Sequence, residues 1–134
     1  MISYWDTSAA VALFFNEPHT AEAVRARALF TTAYMWSWGR VEMETACLRR
    51  AGAATRLASI RAFAADVSFH PIEPGELPAV LALNLRHRLR ASDAGHLFCF
   101  QQISLVHPSA QLVCFDAELC AAARAAKLRV WPPR

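Results

Sequence analysis

Four acidic residues stand apart by where they fall: Asp6, Glu42, Asp93 and Asp116. Asp6 closes Ile2-Ser3-Tyr4-Trp5, a short apolar and aromatic run that reads as a strand. Asp116 closes Gln111 to Phe115 in the same way. Glu42 and Asp93 fall in the first turns of segments with helical character. Carboxylates are hard oxygen donors, and several packed together repel unless cations lie between them. Such a donor set favours Mg²⁺ or Mn²⁺ over zinc or copper. Mg²⁺ keeps waters in its shell, and one of them can serve as a nucleophile toward phosphorus. Taken singly, each acid is more often a cap or turn residue than a catalytic one. The chemistry requires all four to share one rim.

The elements that would bring them there alternate along the chain. Strand-like segments are Ile2 to Trp5, Leu29 to Trp36, Val67 to His70, Gln111 to Phe115 and Leu128 to Trp131. Helices are expected from Ala9 to about Asn16, Pro18 to Ala28, Trp38 to Ala51, Thr55 to Ala65, Pro78 to Arg88, Ser92 to Val106 and Ala117 to Ala126. Thr7 or Ser8, Ser37 and Ser92 are the expected N-caps, and Gly52 the expected stop of the third helix. Strand alternating with helix argues for a mostly parallel sheet covered on both faces, a doubly wound α/β/α sandwich. In such folds the working crevice lies beyond the carboxyl ends of the strands, where Asp6 and Asp116 are expected.

The chain of 134 residues reads as one domain over 1–134. No apolar run reaches the roughly 18 residues of a spanning helix. The first residues carry no basic region or long apolar core, so a cytoplasmic location is expected. Cys47, Cys99, Cys114 and Cys120 form no C-x-x-C pair, which argues against a zinc site and for small buried side chains. Net charge is +3, with 14 basic against 11 acidic side chains. Four acids gathered on metal would leave a negative pit in a strongly positive surround, a field suited to a polyanion. All basic residues except Lys127 are Arg, which grips phosphate with paired hydrogen bonds.

These residues resemble a known family. Tyr4-Trp5-Asp6-Thr7-Ser8-Ala9 resembles the opening of PIN domains, a strand ending in Asp followed by hydroxyl residues. Gly39-Arg40-Val41-Glu42 with Leu48-Arg49-Arg50 is similar to the second motif. Ser92-Asp93-Ala94-Gly95-His96-Leu97 is similar to the third, and Leu112-Val113-Cys114-Phe115-Asp116 followed by Leu119 and Ala121 to Arg124 to the fourth. The four occur in order over essentially the whole chain, whose small size resembles the VapC-type toxins. The resemblance implies a PIN fold with strand order about 3-2-1-4-5. It implies an endoribonuclease dependent on Mg²⁺ or Mn²⁺, an antitoxin protein as partner, and a homodimer. Asp6, Glu42, Asp93 and Asp116 match the acidic positions, and Thr7 or Ser8 the hydroxyl beside the first Asp. Cys114 stands where the family often has Thr, and Lys127 where it often has Gly.

On this reading Asp6 and Asp116 are primary ligands, while Glu42 and Asp93 ligate or hold waters. Ser8 helps to orient one such water. Glu44 lies two residues from Glu42 and points about 200° away on a helix, so only one can face the site. Glu42 is preferred because Arg40-Val41 precedes it. His96 shares a helix face with Asp93, and is either a satisfied buried residue or a partner of an acid. Arg86, Arg88 and Arg90 either hold phosphate or form a solvated face. Other readings are a PIN-type RNA-processing nuclease without an antitoxin and a non-catalytic PIN-like binding module. A phosphatase needs a second Asp where Ser8 stands, and a receiver needs a paired acid near the first strand.

Overall fold

The structure, a computed structural model, describes residues 1–50 and 52–133. Five parallel strands form one sheet in the order β3-β2-β1-β4-β5: β1 (Ile2–Trp5), β2 (Thr32–Trp36), β3 (Val67–His70), β4 (Gln111–Val113) and β5 (Arg129–Trp131). Successive strand side chains point to opposite faces, so two cores form. Trp5, Met35 and Val113 bury one face with Phe30, Ile60 and Phe63. Tyr4, Leu112 and Val130 bury the other with Leu97, Phe100 and Leu119. Register aligns them: Tyr4 sits beside Tyr34 and Leu112, and Trp5 beside Val113. A parallel sheet needs this cover on both sides, because every connection must cross back over a face.

The helices supply that cover: α1 (Thr7–Val11), α2 (Thr20–Leu29), α3 (Trp38–Leu48), α4 (Ala53–Ala65), α5 (Leu77–His87), α6 (Ala91–Val106) and α7 (Ala117–Ala125), with a 3₁₀ turn at Pro74–Glu76. The doubly wound sandwich and its strand order are those expected. Several boundaries differ. Helix α2 runs through Leu29, so β2 starts at Thr32 rather than Leu29. The first helix is one short turn, closed at Val11 instead of Asn16. Helix α3 stops at Leu48, and the expected end at Ala51 lies outside the described residues. Gly52 is the N-cap of α4 at φ 79°, a left-handed conformation that glycine takes without a Cβ penalty. Ser37 occupies an N-cap without a side-chain cap bond, and Asp6 rather than Thr7 or Ser8 occupies the N-cap of α1. Strand β4 ends at Val113, leaving Asp116 three residues beyond it as the N-cap of α7.

Helix α6 carries more buried residues than any other of the seven, and Gly95 lets it lie close on β2. A Cβ there would stand 2.4 Å from Cζ3 of Trp36. Trp36 is a stiff ring packed edge-on against His96, with centroids 5.5 Å apart. Gly95→Ala is expected to destabilise the fold by about 1–3 kcal/mol, the usual range for overpacking. Thermal melts check this, and an unchanged Tm would show that the ring yields freely.

Candidate active site

The strand order reverses direction between β1 and β4: the chain builds outward from β1 through β2 and β3, then returns to add β4 and β5. A crevice opens at such a switch point, beyond the carboxyl ends of the strands. Asp6 follows β1 there, its amide donating to Val113 O at 3.1 Å and its carbonyl accepting from Ala10 N at 3.1 Å. Asp116 follows β4 at the same rim, its side chain accepting from Glu118 N at 3.4 Å as the cap of α7. Helix α3 brings Glu42 and α6 brings Asp93. All four line one cleft of about 410 Å³ together with Thr7, Ser8, Ser92, Arg50 and Arg90.

Glu42 is the best-held of the acids. Its Oε1 accepts from Thr7 Oγ1 at 2.9 Å and from His96 Nε2 at 2.9 Å, and its Oε2 from Ser92 Oγ at 2.5 Å. Burial pushes this carboxyl up, but the hydrogen bonds from His96, Ser92 and Thr7 outweigh burial and hold it below the usual glutamate value. Ser92, expected as a helix cap, lies inside α6 and serves Glu42 instead, while Arg90 takes the N-cap position. The choice between the two glutamates follows from helix geometry. Glu44 points outward to Arg61 at 2.8 Å and Arg40 at 3.9 Å.

His96 is fully buried and bonded on both ring nitrogens. Tyr4 OH already accepts from Trp36 N at 3.0 Å, so its own proton goes to His96 Nδ1 at 2.8 Å. Nε2 then carries the ring proton and donates to Glu42. The two readings of His96 merge: it is a satisfied buried residue because it partners an acid. Tyr4 is the residue sequence reasoning missed. An aromatic on a buried strand gives no sign that its hydroxyl will meet a histidine 92 positions away.

Asp6, Asp93 and Asp116 form a different group. Ser8 Oγ donates to Asp6 Oδ2 at 2.5 Å. Burial raises the Asp93 carboxyl first, and repulsion from Asp6 and Asp116 raises it further, with only partial relief from Arg90. Arg90 approaches Asp93 Oδ2 at 3.2 Å and Asp116 Oδ2 at 3.6 Å. From sequence, Arg90 with Arg86 and Arg88 is either a phosphate holder or part of a solvated face; its spacing of three from Asp93 is the signal for the contact found. Among the described residues, Asp116 Oδ2 is buried without a hydrogen-bond donor. No three His, Cys, Asp or Glu side chains among them already stand in ligand geometry around one point. The donor set is nonetheless all hard oxygen, one oxygen is orphaned, and the acids repel one another. These side chains fit a divalent cation.

The remaining side chains sort by burial. All four cysteines are free and buried, and burial pushes the Cys99 thiol up to about 12. Trp5 is in the core and Trp38 is exposed. Of the early apolar residues, Val11 is buried, Leu13, Phe14 and Phe15 pack against the core, and Val24 is exposed. Arg50 pairs with Glu17 at the edge of the cleft and lies over the Phe15 ring at 4.6 Å. No helix is long and apolar enough to cross a membrane.

A parallel 3-2-1-4-5 sheet between helical layers, with acids gathered at its switch point, defines a PIN-like α/β/α protein. The PIN-domain family model matches residues 3–124, and the chain belongs to that family. PIN domains are generally nucleases. Among solved structures, the chain is similar to one in VapBC2 from Rickettsia felis bound to a DNA fragment from their promoter. The TM-score there is 0.67 at 12% identity, covering 97% of each chain. It is also similar to PAE2754 from Pyrobaculum aerophilum, with TM-score 0.60 at 21% identity, covering 91% of this chain and 87% of that one. At these identities the likeness is one of fold. No curated protein matches the sequence.

Proposed function

We propose that residues 1–134 form a single PIN-like nuclease domain acting as a divalent-metal-dependent endoribonuclease, the toxin of a toxin–antitoxin pair in the cytoplasm. The observation that carries this reading is the meeting of Asp6, Glu42, Asp93 and Asp116 in one cleft at the switch point. Asp6, Asp93 and Asp116 would hold Mg²⁺ or Mn²⁺, with Glu42 ligating or fixing a water. Such an ion, when bound, neutralises charge on the scissile phosphate and lowers the pKa of water.

The chain's own groups prepare that cleft. Ser8 fixes the Asp6 carboxylate. Thr7, Ser92 and His96 keep Glu42 ionised and aimed. Arg90 is 75% exposed, so it can exchange its two carboxylates for a phosphate oxygen of an incoming RNA. Arg50, which also lines the cleft, supplies a second guanidinium. The toxin reading is supported by membership of the PIN family and by the fold shared over 97% of both chains with a member of the VapBC2 complex. A small antitoxin protein is the corresponding partner.

A homodimer is supported by α5. Leu77, Leu81 and Leu85 lie along one stripe, 53%, 71% and 79% exposed. Glu73 and Glu76 precede the stripe, and Arg86 and Arg88 follow it. An antiparallel second copy would set leucine on leucine and the acidic end on the basic end. Leu81→Asp is expected to turn a dimer into a monomer in sedimentation, with the fold retained. A wild-type protein that sediments as a monomer at all concentrations would remove the dimer from this reading.

The test of function is incubation of purified protein with a pool of cellular RNAs, followed by mapping of new ends. Cleavage is expected with Mn²⁺ or Mg²⁺ and none with chelator. Ends that appear equally in both arms, or in neither, would overturn the reading. Expression alone is expected to arrest growth, and co-expression of the antitoxin to relieve it.

A further inference from the structure

The nuclease cleft uses no cysteine, yet two of the four thiols lie directly behind one of its acids. Cys114 follows β4 and Cys120 sits on the first turn of α7, so the six-residue step between them contains Asp116. The Cys120 side chain folds back onto Cys114, its Sγ 3.3 Å from the Cys114 carbonyl oxygen. Both cysteines border a cavity of about 280 Å³, with His19, Glu22, Phe115 and Arg124 around it. His19, itself exposed, stacks on Phe115 at 4.6 Å and forms one wall. Cys47 and Cys99 are different. Each is fully buried, and their nearest hydrogen-bonding partners are the backbone carbonyls of Ala53 and His70.

Both thiol protons in the pair are in use. Cys114 Sγ donates to Asp116 O at 3.5 Å, and Cys120 Sγ donates to Cys114 O at 3.3 Å. Two weak hydrogen bonds therefore tether the backbone on either side of the loop that aims the Asp116 carboxylate. Removing both protons would release both carbonyls at once. Neighbouring thiols that line one cavity are the arrangement in which a small oxidant can join two sulfurs.

The geometry points to Cys114 and Cys120 as an oxidisable dithiol, closed by a hydroperoxide into a disulfide that loosens the cation site at Asp116. The more accessible sulfur, that of Cys120, attacks the peroxide oxygen. It becomes a sulfenic acid as the O–O bond breaks and one water leaves. The Cys114 sulfur then displaces the sulfenic hydroxyl, forming the S–S bond and releasing the second water. Two thiols lose two electrons and two protons, and one hydrogen peroxide becomes two waters. A dithiol reductant reverses the step by exchange. Loss of the two tethers leaves Asp116 O held only by Cys120 N at 3.0 Å, inside a ring closed by the new bond. The loss of cation affinity rests on the proposed role of Asp116; formation of the disulfide does not.

The test treats the full chain with hydrogen peroxide, unfolds it, alkylates free thiols and maps the peptides. Two alkylated cysteines, Cys47 and Cys99, with a linked 114–120 peptide are expected. Four alkylated thiols, a link involving Cys47 or Cys99, or oxygen added to Cys120 without a crosslink would overturn the proposal. Mn²⁺ alone is then titrated calorimetrically into reduced and oxidised protein. The oxidised form is expected to bind at least about tenfold more weakly, within the 10–100-fold range for groups that support ligands, and to recover with dithiothreitol. The peroxide-treated Cys120→Ser variant is expected to keep the affinity it has without peroxide. A crosslinked protein that binds Mn²⁺ as tightly as the reduced one would overturn the coupling. Failure of the reduced protein to bind Mn²⁺ would instead count against the metal site, while the peptide map still decides the dithiol.

Discussion

Asp6→Asn is expected to lower RNA cleavage by on the order of 10³-fold or more, with the fold intact. The change keeps the side-chain shape and an oxygen that can accept from Ser8, so the 2.5 Å contact has a substitute. It also leaves untouched the backbone bonds from Asp6 N to Val113 O and from Ala10 N to Asp6 O. What disappears is a negative charge at the one strand tip that faces Asp93 and, across the cleft, lies 4.0 Å from the His96 ring. Removal of one electrostatic element at a site of this type costs about 10²–10³ in rate, and groups that act as a unit lose more. Initial rates on a mapped substrate at saturating Mn²⁺ measure the effect, with circular dichroism to check the fold. A variant that cuts as fast as wild type would remove Asp6 from the site.

Asp93→Asn is expected to raise the stability of the metal-free protein and to abolish its stabilisation by metal. Burial and the charges of Asp6 and Asp116 disfavour the ionised Asp93, and Arg90 offsets only part of this. A neutral isostere relieves the conflict, worth on the order of 1 kcal/mol, or a Tm raised by about 3 °C. In the folded chain Asp93 holds its proton more tightly than in the unfolded chain. Stability therefore falls as pH rises from the unfolded value, near about 3.9, through the raised folded one. The advantage of the variant should be largest at neutral pH and vanish in acid. Glu42 has the opposite sign: its lowered value gives stability above its unfolded value that is lost as pH falls, equally in both proteins. Their difference thus isolates Asp93. With Mn²⁺ at a hundredfold its dissociation constant, wild type should gain about 2.7 kcal/mol and the variant little of it. Melts across pH, with and without metal, give both readings. A metal-free variant less stable than wild type at pH 7 would show that the Arg90 contact outweighs the repulsion.

Much of this was legible before any coordinates. The alternation of apolar runs with capped helical segments fixes a doubly wound sheet, because side-chain period and connection length leave few other ways to bury both faces. Asp6 could be placed at a strand tip because the run before it is short and mostly apolar or aromatic. A helix turns about 100° per residue, so only one of Glu42 and Glu44 could face the crevice, and Arg40-Val41 before Glu42 pointed to it. Boundaries were less legible where local signals competed. Ser92 looked like a cap because serine favours that position, but a carboxylate from another helix claimed its hydroxyl. Leu29 looked like strand because its neighbours are apolar, but helix α2 carries it.

Local periodicity and residue chemistry thus settle which elements form and which carboxylates can face a crevice, since both depend on neighbours a few positions apart. The bond from Tyr4 to His96, the placement of Arg90 between Asp93 and Asp116, and the approach of Trp36 to Gly95 were decided only by tertiary structure. Most of these contacts join residues tens of positions apart, and even Arg90 reaches Asp116 from another element. Their distances follow from how helices settle on the twisted sheet, a quantity that no short window of sequence contains.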